Sequence, residues 1–356
     1  MATHPLSGDP SAVAATQHSA PGAIPQPYLL FLGDTTEPAY AKTAFGLREW
    51  ARERCIGELR CPGGTVSVDL PPMRPAEAYA AGARALVIGV ANEGGIILPA
   101  WIPLLVEALD AGLDLVSGLH VALGDIPELR ATAAARGRRL IDVRRPPAHL
   151  PVGTGRKRTG KRLLTVGTDC ALGKKYTALA IARAFAARGI DSDFRATGQT
   201  GILLAGSGMP MDAVPADFEA GAAEILSPAA SPGHWDIIEG QGSLLHPSYA
   251  AVSLGLLHGS QPDRFVVCDQ PGRRHMLGLP DFPVPAIERI ITVTLELGRL
   301  TNPAIRCAGV SLNTAHLAEP EAARLLASES ERLGLPCADP IRGGPRFEAL
   351  IDRCLA

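Results

Sequence analysis

Short apolar runs alternate with amphipathic stretches from Tyr28 to the end of the chain. The run Tyr28-Leu-Leu-Phe-Leu-Gly33, closed by Gly33-Asp34, predicts a buried strand, and residues 41–55 predict a helix. A strand over 65–70 follows, then a short helix over 75–82 and a strand over 85–90. Next come a helix over 101–111, a strand over 113–117, a helix over 127–136 and a last strand over 140–143. Strands alternating with helices predict a parallel, doubly wound α/β sheet. This first domain is placed at residues 27–145.

Residues 146–162 break the pattern. They hold three Pro, three Gly and five Lys/Arg without apolar periodicity, which predicts a linker. Their basic cluster enters the next strand from its N-terminal end, whereas ligands of open α/β sheets gather at the C-terminal end. A solvated basic face is therefore expected there. A second α/β domain, residues 163–356, follows the same logic. Strands are expected at 163–166, 192–196, 235–239, 265–268, 307–312 and 335–338. Helices are expected at 176–188, 217–226, 286–297, 319–333 and 347–355.

Composition narrows the setting. Lys and Arg total 34 against 36 Asp and Glu, a net charge of −2, which gives no general reason to bind nucleic acid or an anionic membrane. Seven cysteines without a Cys-x-x-Cys pair fit a reducing compartment and offer no zinc module; no metal is expected. Residues 1–26 contain no Lys or Arg and no apolar core of the signal-peptide kind, so a disordered tail and a cytoplasmic protein are expected. A homo-oligomer is compatible with this size, and the partners expected are small molecules.

The chemistry lies where strands end. Gly167-Thr-Asp-Cys-Ala-Leu-Gly-Lys-Lys175 joins a strand to a helix, the layout of a phosphate-binding P-loop. Gly167, Thr168, Asp169, Cys170, Gly173, Lys174 and Lys175 are thus candidate cofactor ligands. The loop has five residues between its glycines, one more than usual, and Lys175 stands where a Mg²⁺-binding Ser or Thr is expected. It resembles the loop of dethiobiotin-synthetase-like enzymes. Cys170 is placed to accept an acyl group or simply to fill a tight loop.

Four further loops fall at strand ends and should converge on the same crevice. Thr197-Gly-Gln-Thr-Gly201 offers Thr197, Gln199 and Thr200 to a carboxylate or phosphate, with Arg195 just before it. Glu239-Gly-Gln-Gly-Ser243 offers Gln241 and a strand-end acid. Glu239 is a candidate general base or metal ligand, or an acid paired with Lys174. Asp269-Gln-Pro-Gly-Arg-Arg-His275 brings Arg273 and Arg274, whose forks suit carboxylates, and His275, a second candidate base. His246 and His120 are rivals for that role. Asn313 ends the fifth strand and could read a purine edge.

These motifs, in this order and together with Asp114-Leu-Val-Ser-Gly-Leu-His120, resemble the D-glutamate N-acetyltransferase family over about residues 28–355. The resemblance implies a Rossmann-like N-terminal domain, a P-loop C-terminal domain and acetyl transfer from acetyl-CoA to the amine of D-glutamate in D-amino-acid catabolism. Under it the loop would hold the phosphates of coenzyme A without hydrolysing them, Asn313 would meet the adenine, and Arg195, Arg273 and Arg274 would meet the dicarboxylate. Two alternatives stand beside it. One is a kinase or ligase using Mg-ATP, with Thr168 or Thr177 supplying the missing hydroxyl. The other is a non-catalytic nucleotide or coenzyme A sensor.

Overall fold

In the computed structural model, residues 24–356 are described. Nearly all of the expected tail therefore lies outside the described residues. Strands β1 (Tyr28–Gly33), β2 (Cys55–Arg60), β3 (Ala85–Ile88), β4 (Asp114–Ser117) and β5 (Leu140–Asp142) form one sheet in the order β2-β1-β3-β4-β5, with every pair parallel. Helices α1 (Lys42–Trp50), α2 (Pro75–Ala80), α3 (Ile102–Asp110) and α4 (Pro127–Arg136) make the connections. β1 is buried along its whole length, as a strand covered by helices on both faces must be.

Two expectations in this half fail for one reason. The helix expected over 41–55 stops at Trp50, and Cys55–Arg60 pairs with β1 as an edge strand. Its sequence, Cys-Ile-Gly-Glu-Leu-Arg, does not read as a strand because it carries a glycine and two charged residues. The stretch expected as a strand, 65–70, makes no ladder. Instead the buried Glu58 carboxylate of β2 accepts the Ser67 hydroxyl at 3.0 Å and the Val68 N–H at 2.8 Å. A side chain thus satisfies the backbone that a neighbouring strand would otherwise pair. Above the end of β1, Gly33 has φ +57°, and the Trp101 indole lies where a Cβ would stand, 2.7 Å away. The indole Nε1 donates to Asp34 at 2.9 Å.

The second sheet contains β6 (Lys161–Gly167), β7 (Ser192–Arg195), β8 (Trp235–Ile238), β9 (Arg264–Asp269), β12 (Arg306–Leu312) and β13 (Cys337–Ala338). Its order is β13-β12-β9-β6-β8-β7, again all parallel. A small antiparallel hairpin, β10 (His275–Met276) and β11 (Leu279–Pro283), stands apart. Helices α5 (Lys174–Ala187), α6 (Gln199–Ala205), α7 (Glu219–Leu226), α8 (Ala250–Ser260), α9 (Ile287–Gly298), α10 (Glu319–Leu333) and α11 (Pro345–Leu355) surround it. Helix α8 carries small and apolar residues on all sides, so its sequence has no amphipathic period to announce it. No described helix is long and apolar enough to cross a membrane.

The basic segment leading into β6 is a solvated face only in part: Arg156, Lys157 and Lys161 are exposed, whereas Arg158 and Arg162 turn inward. Arg162 is fully buried; its Nε donates to the Ser227 hydroxyl at 2.7 Å and its Nη2 to the Pro228 carbonyl at 2.8 Å. Arg158 reaches the Ser227 and Gly259 carbonyls, both at 2.8 Å. These guanidiniums staple the chain to the N-terminal edge of the second sheet, the edge away from the strand-end loops.

The two sheets share a core. Ile202, Leu203 and Leu204 of α6 are buried in the apolar cluster of the first sheet, a contribution of about 2 kcal/mol each. Thr43 and Thr200 hydroxyls meet at 3.2 Å, Arg54 donates to the Leu204 carbonyl at 2.6 Å, and Trp50 stacks on Tyr176 with ring centroids 5.7 Å apart. These contacts hold the C-terminal edge of the second sheet against the first.

Candidate active site

The loop after β6 is a P-loop in geometry as well as spelling. Gly173, at φ +111°, caps α5, so Lys174 and Lys175 open the helix at its N-terminus. Lys174 is buried, and its ammonium donates to the Asp169 carbonyl at 2.7 Å. Burial in the loop lowers its pKa. Thr168 is buried and donates to Asp269 at 2.5 Å; Thr177 is bound to Ser311 at 2.8 Å. Both hydroxyls considered as Mg²⁺ ligands are bonded to neighbouring side chains, and Lys175 fills the usual position.

Asp169 lies beneath the loop, fully buried. Arg273 donates to its Oδ2 at 2.8 Å, the Leu277 N–H to the same oxygen at 2.9 Å, and the Cys170 N–H to Oδ1 at 2.6 Å. Burial pushes the carboxyl pKa up, but these three donors together outweigh it and hold it below the ordinary value. Arg273 also reaches the Cys170 carbonyl at 2.8 Å and the Gln270 side chain at 2.5 Å. It is therefore a clamp between two loops and not an open carboxylate receptor. His246 is buried on the other side of Asp169. Its Nδ1 accepts the Ser248 N–H at 3.1 Å, and its Nε2 stands 3.6 Å from Oδ1 without a hydrogen-bond partner.

The remaining expected residues divide. Glu239, at the end of β8, is buried, and its Oε2 accepts the N–H groups of Thr197 at 2.9 Å and Gly198 at 3.1 Å. Burial raises its pKa against the pull of those donors and of Lys175. Burial likewise lowers that of Lys175, with Glu239 opposing. Thr197 is buried: its hydroxyl donates to the Glu239 carbonyl at 2.8 Å and receives the Gln241 amide at 2.9 Å. Thr197 and Gln241 thus set the acid in place. Gln199 and Thr200, on the first turn of α6, face the same crevice.

Three expected residues lie elsewhere. Arg195 turns back along the sheet to Asp236 at 2.6 Å and Asp193 at 3.0 Å, because the alternation of β7 directs its side chain toward those acids. Arg274 and His275 are exposed on the hairpin and do not line the crevice. Cys170 does line it, with its thiol pKa raised by burial despite Lys174.

Two cavities flank the P-loop and share Leu172, Gly173 and Tyr176. The larger, about 560 Å³, is lined by Cys170, Lys174, Lys175, Gln199, Glu239 and Gln241. The other, about 230 Å³, is lined by Glu49, Asn313, Asp339 and Ile341. Asn313 accepts the Ala315 N–H through Oδ1 at 3.2 Å. The larger cavity also takes Lys42, Arg144 and Asp212, none of which the motifs single out. Arg144 follows β5 by two residues, so the strand-end rule used for the second sheet would have found it in the first. A third cavity, about 190 Å³, adjoins at Arg144 and Asp212 and includes His120.

Comparison with known proteins gives a consistent relationship. The family model of a P-loop domain of unknown function, DUF1611, matches residues 151–350, and its Rossmann-like companion matches residues 60–146. A D-glutamate N-acetyltransferase of Tritonibacter scottomollicae is 51% identical over 321 residues, 90% of this chain and 96% of that protein. One from a Pseudoalteromonas species is 47% identical, over 90% and 97%. The crystal structure of a DUF1611 family protein from Anabaena variabilis superposes with a TM-score of 0.82 at 34% identity, covering 93% of this chain and 99% of that one.

Proposed function

Because this chain belongs to the DUF1611 family, the family of the D-glutamate N-acetyltransferases it matches, we propose that it moves an acetyl group from acetyl-CoA to the amine of D-glutamate. The pair of cavities meeting at the P-loop carries the cofactor half of this reading. Coenzyme A has a nucleotide end, a run of phosphates and a thioester end. The Asn313 cavity takes the adenine, the N-terminus of α5 with Lys174 takes phosphate, and the larger cavity takes the acetyl group.

The substrate amine arrives as an ammonium and must lose a proton before it can attack. Glu239 is the base. One of its oxygens is fixed by two N–H groups, burial makes the carboxylate more basic than an ordinary one, and it lines the larger cavity. The amine lone pair then adds to the thioester carbonyl. Collapse breaks the C–S bond, and the departing thiolate takes up a proton as the new amide nitrogen loses its own. No phosphate bond is broken, so a P-loop without a Mg²⁺ hydroxyl suffices.

The test is thiol release from acetyl-CoA by purified protein. D-Glutamate should liberate one thiol per N-acetyl product. Absence of thiol with D-glutamate at saturating acetyl-CoA, from folded protein, rejects the reading.

A further inference from the structure

We propose that Arg144, contributed by the first sheet, receives a substrate carboxylate and makes the enzyme prefer an acidic side chain to its amide; this rests on the reading above. A dicarboxylate entering the larger cavity is best met by a guanidinium that lines the cavity and has donors left over from its other bonds. Arg195 is bound to two aspartates, Arg273 is spent on Asp169 and two loop oxygens, and Arg274 points outward. Lys174 is bonded to the loop itself, and Lys175 lies 4.5 Å from the centre of the Tyr176 ring in the field of Glu239.

Arg144 is placed differently. It lines both the 560 Å³ cavity and the adjoining 190 Å³ one, and so does Asp212, the carboxylate it pairs with. That pair joins the first sheet to the turn Met211–Ala213 of the second, and both side chains retain some solvent access. The hydrogen bond to Asp212 uses Nη2, one arm of a fork with five donors. A substrate carboxylate can replace or share Asp212 and meet the fork in two parallel bonds. An amide in the same place offers one acceptor and sets an N–H against a cation. Lys42, on the same wall, adds positive charge without a fork. The proposal also gives the first domain a part in the reaction: it closes the crevice with the residue that recognises the substrate.

Steady-state kinetics and binding on the full chain test this. For Arg144→Gln the KM for D-glutamate should rise about tenfold to a hundredfold, the loss of a charged hydrogen-bond pair, while the KM for acetyl-CoA stays put. The KM for D-glutamine should change less than twofold, so the preference for the acid collapses. Arg144→Lys should fall between. Asp212→Asn, which removes the resident carboxylate, should lower the KM for D-glutamate. An unchanged KM for D-glutamate in folded Arg144→Gln, or an equal rise for acid and amide, overturns the proposal. If Arg144→Gln does not fold, the Arg144→Lys and Asp212→Asn results decide. Thermal shift with D-glutamate separates this from the acetyl-transfer reading. Stabilisation of the wild type but not of Arg144→Gln supports the receptor whether or not thiol is released; no stabilisation of the wild type rejects it.

Discussion

Lys174 donates its ammonium to the backbone carbonyl of Asp169, 2.7 Å away within the same loop. A lysine so tethered is poised at the N-terminus of α5, and a phosphate arriving there offers it a charged acceptor in place of a neutral one. Charge-assisted bonds are roughly twice as strong as neutral ones, so the exchange favours the ligand. Lys174→Ala should weaken coenzyme A binding by about tenfold to a hundredfold. Calorimetric titration with coenzyme A measures this. The same titration with dephospho-coenzyme A tells whether the 3′-phosphate or the pyrophosphate is held. Equal affinity of wild type and variant for both would remove Lys174 from the phosphate site.

Glu239 carries the proton-transfer prediction. Glu239→Gln should reduce kcat by about 10²–10⁴-fold, the range for loss of a general base. The base works only when ionised, and burial raises its pKa. Wild-type kcat should therefore fall on the acid side at a pH above that of an ordinary glutamate, and this limb should vanish in Glu239→Gln. The effect on stability has the opposite sign. A carboxyl with a raised pKa in the folded state stabilises the protein below its unfolded pKa, and this is lost as pH rises through the folded value. Glu239→Gln should thus melt higher than the wild type at pH 8, with the gap closing toward pH 4. Retained kcat in the variant at pH 8 would rule the acid out as the base.

Much of this site is legible in the sequence because it is local. Strand, glycine loop and helix follow one another from Lys161 to Ala187, and an all-parallel sheet must bring the ends of β6, β8 and β9 to one edge. What the sequence hides is pairing at a distance. Arg195 and Arg273 both sit next to strand-end loops, yet each is taken by an acid whose position depends on sheet order or on a loop 104 residues away. Lys42 and Arg144 reach the crevice only because α6 buries three apolar residues in the core of the other sheet. Strand β2 is hidden for a related reason. Its Glu58 is tolerable in a buried strand only once the backbone of Ser67 to Leu70 has folded onto its carboxylate.

The Arg273 clamp predicts a stability effect where the bare sequence suggests a substrate contact. Arg273→Ala leaves Asp169 fully buried with its cation removed. Breaking one side of a buried pair costs about 3–5 kcal/mol, and Arg273 keeps some exposure, so a loss near the lower end is expected. Chemical denaturation at pH 7 should show it. Asp169 has a depressed pKa, so its contribution is present above the unfolded value and lost as pH falls through the folded one. The difference between wild type and Arg273→Ala should therefore shrink in acid. A variant that keeps full stability at pH 7 and instead raises only the KM for D-glutamate would restore Arg273 to the substrate.

Gly201 lies in the first turn and a half of α6, where alanine would ordinarily stabilise a helix by about 1 kcal/mol. Here a Cβ would stand 2.2 Å from Oε2 of Glu239 and 3.2 Å from the Ala196 Cβ. Overpacking of this kind costs about 1–3 kcal/mol, so the clash outweighs the propensity. The carboxylate cannot step aside cheaply, because the same oxygen holds the N–H groups of Thr197 and Gly198. Gly201→Ala should therefore lower both the melting temperature and kcat. Glu239→Ala removes the oxygen that the new methyl meets, so the double variant should melt higher than the two single losses added together predict. Strict additivity in that cycle would mean that the methyl group is accommodated elsewhere and that the packing of α6 against Glu239 does not position the acid.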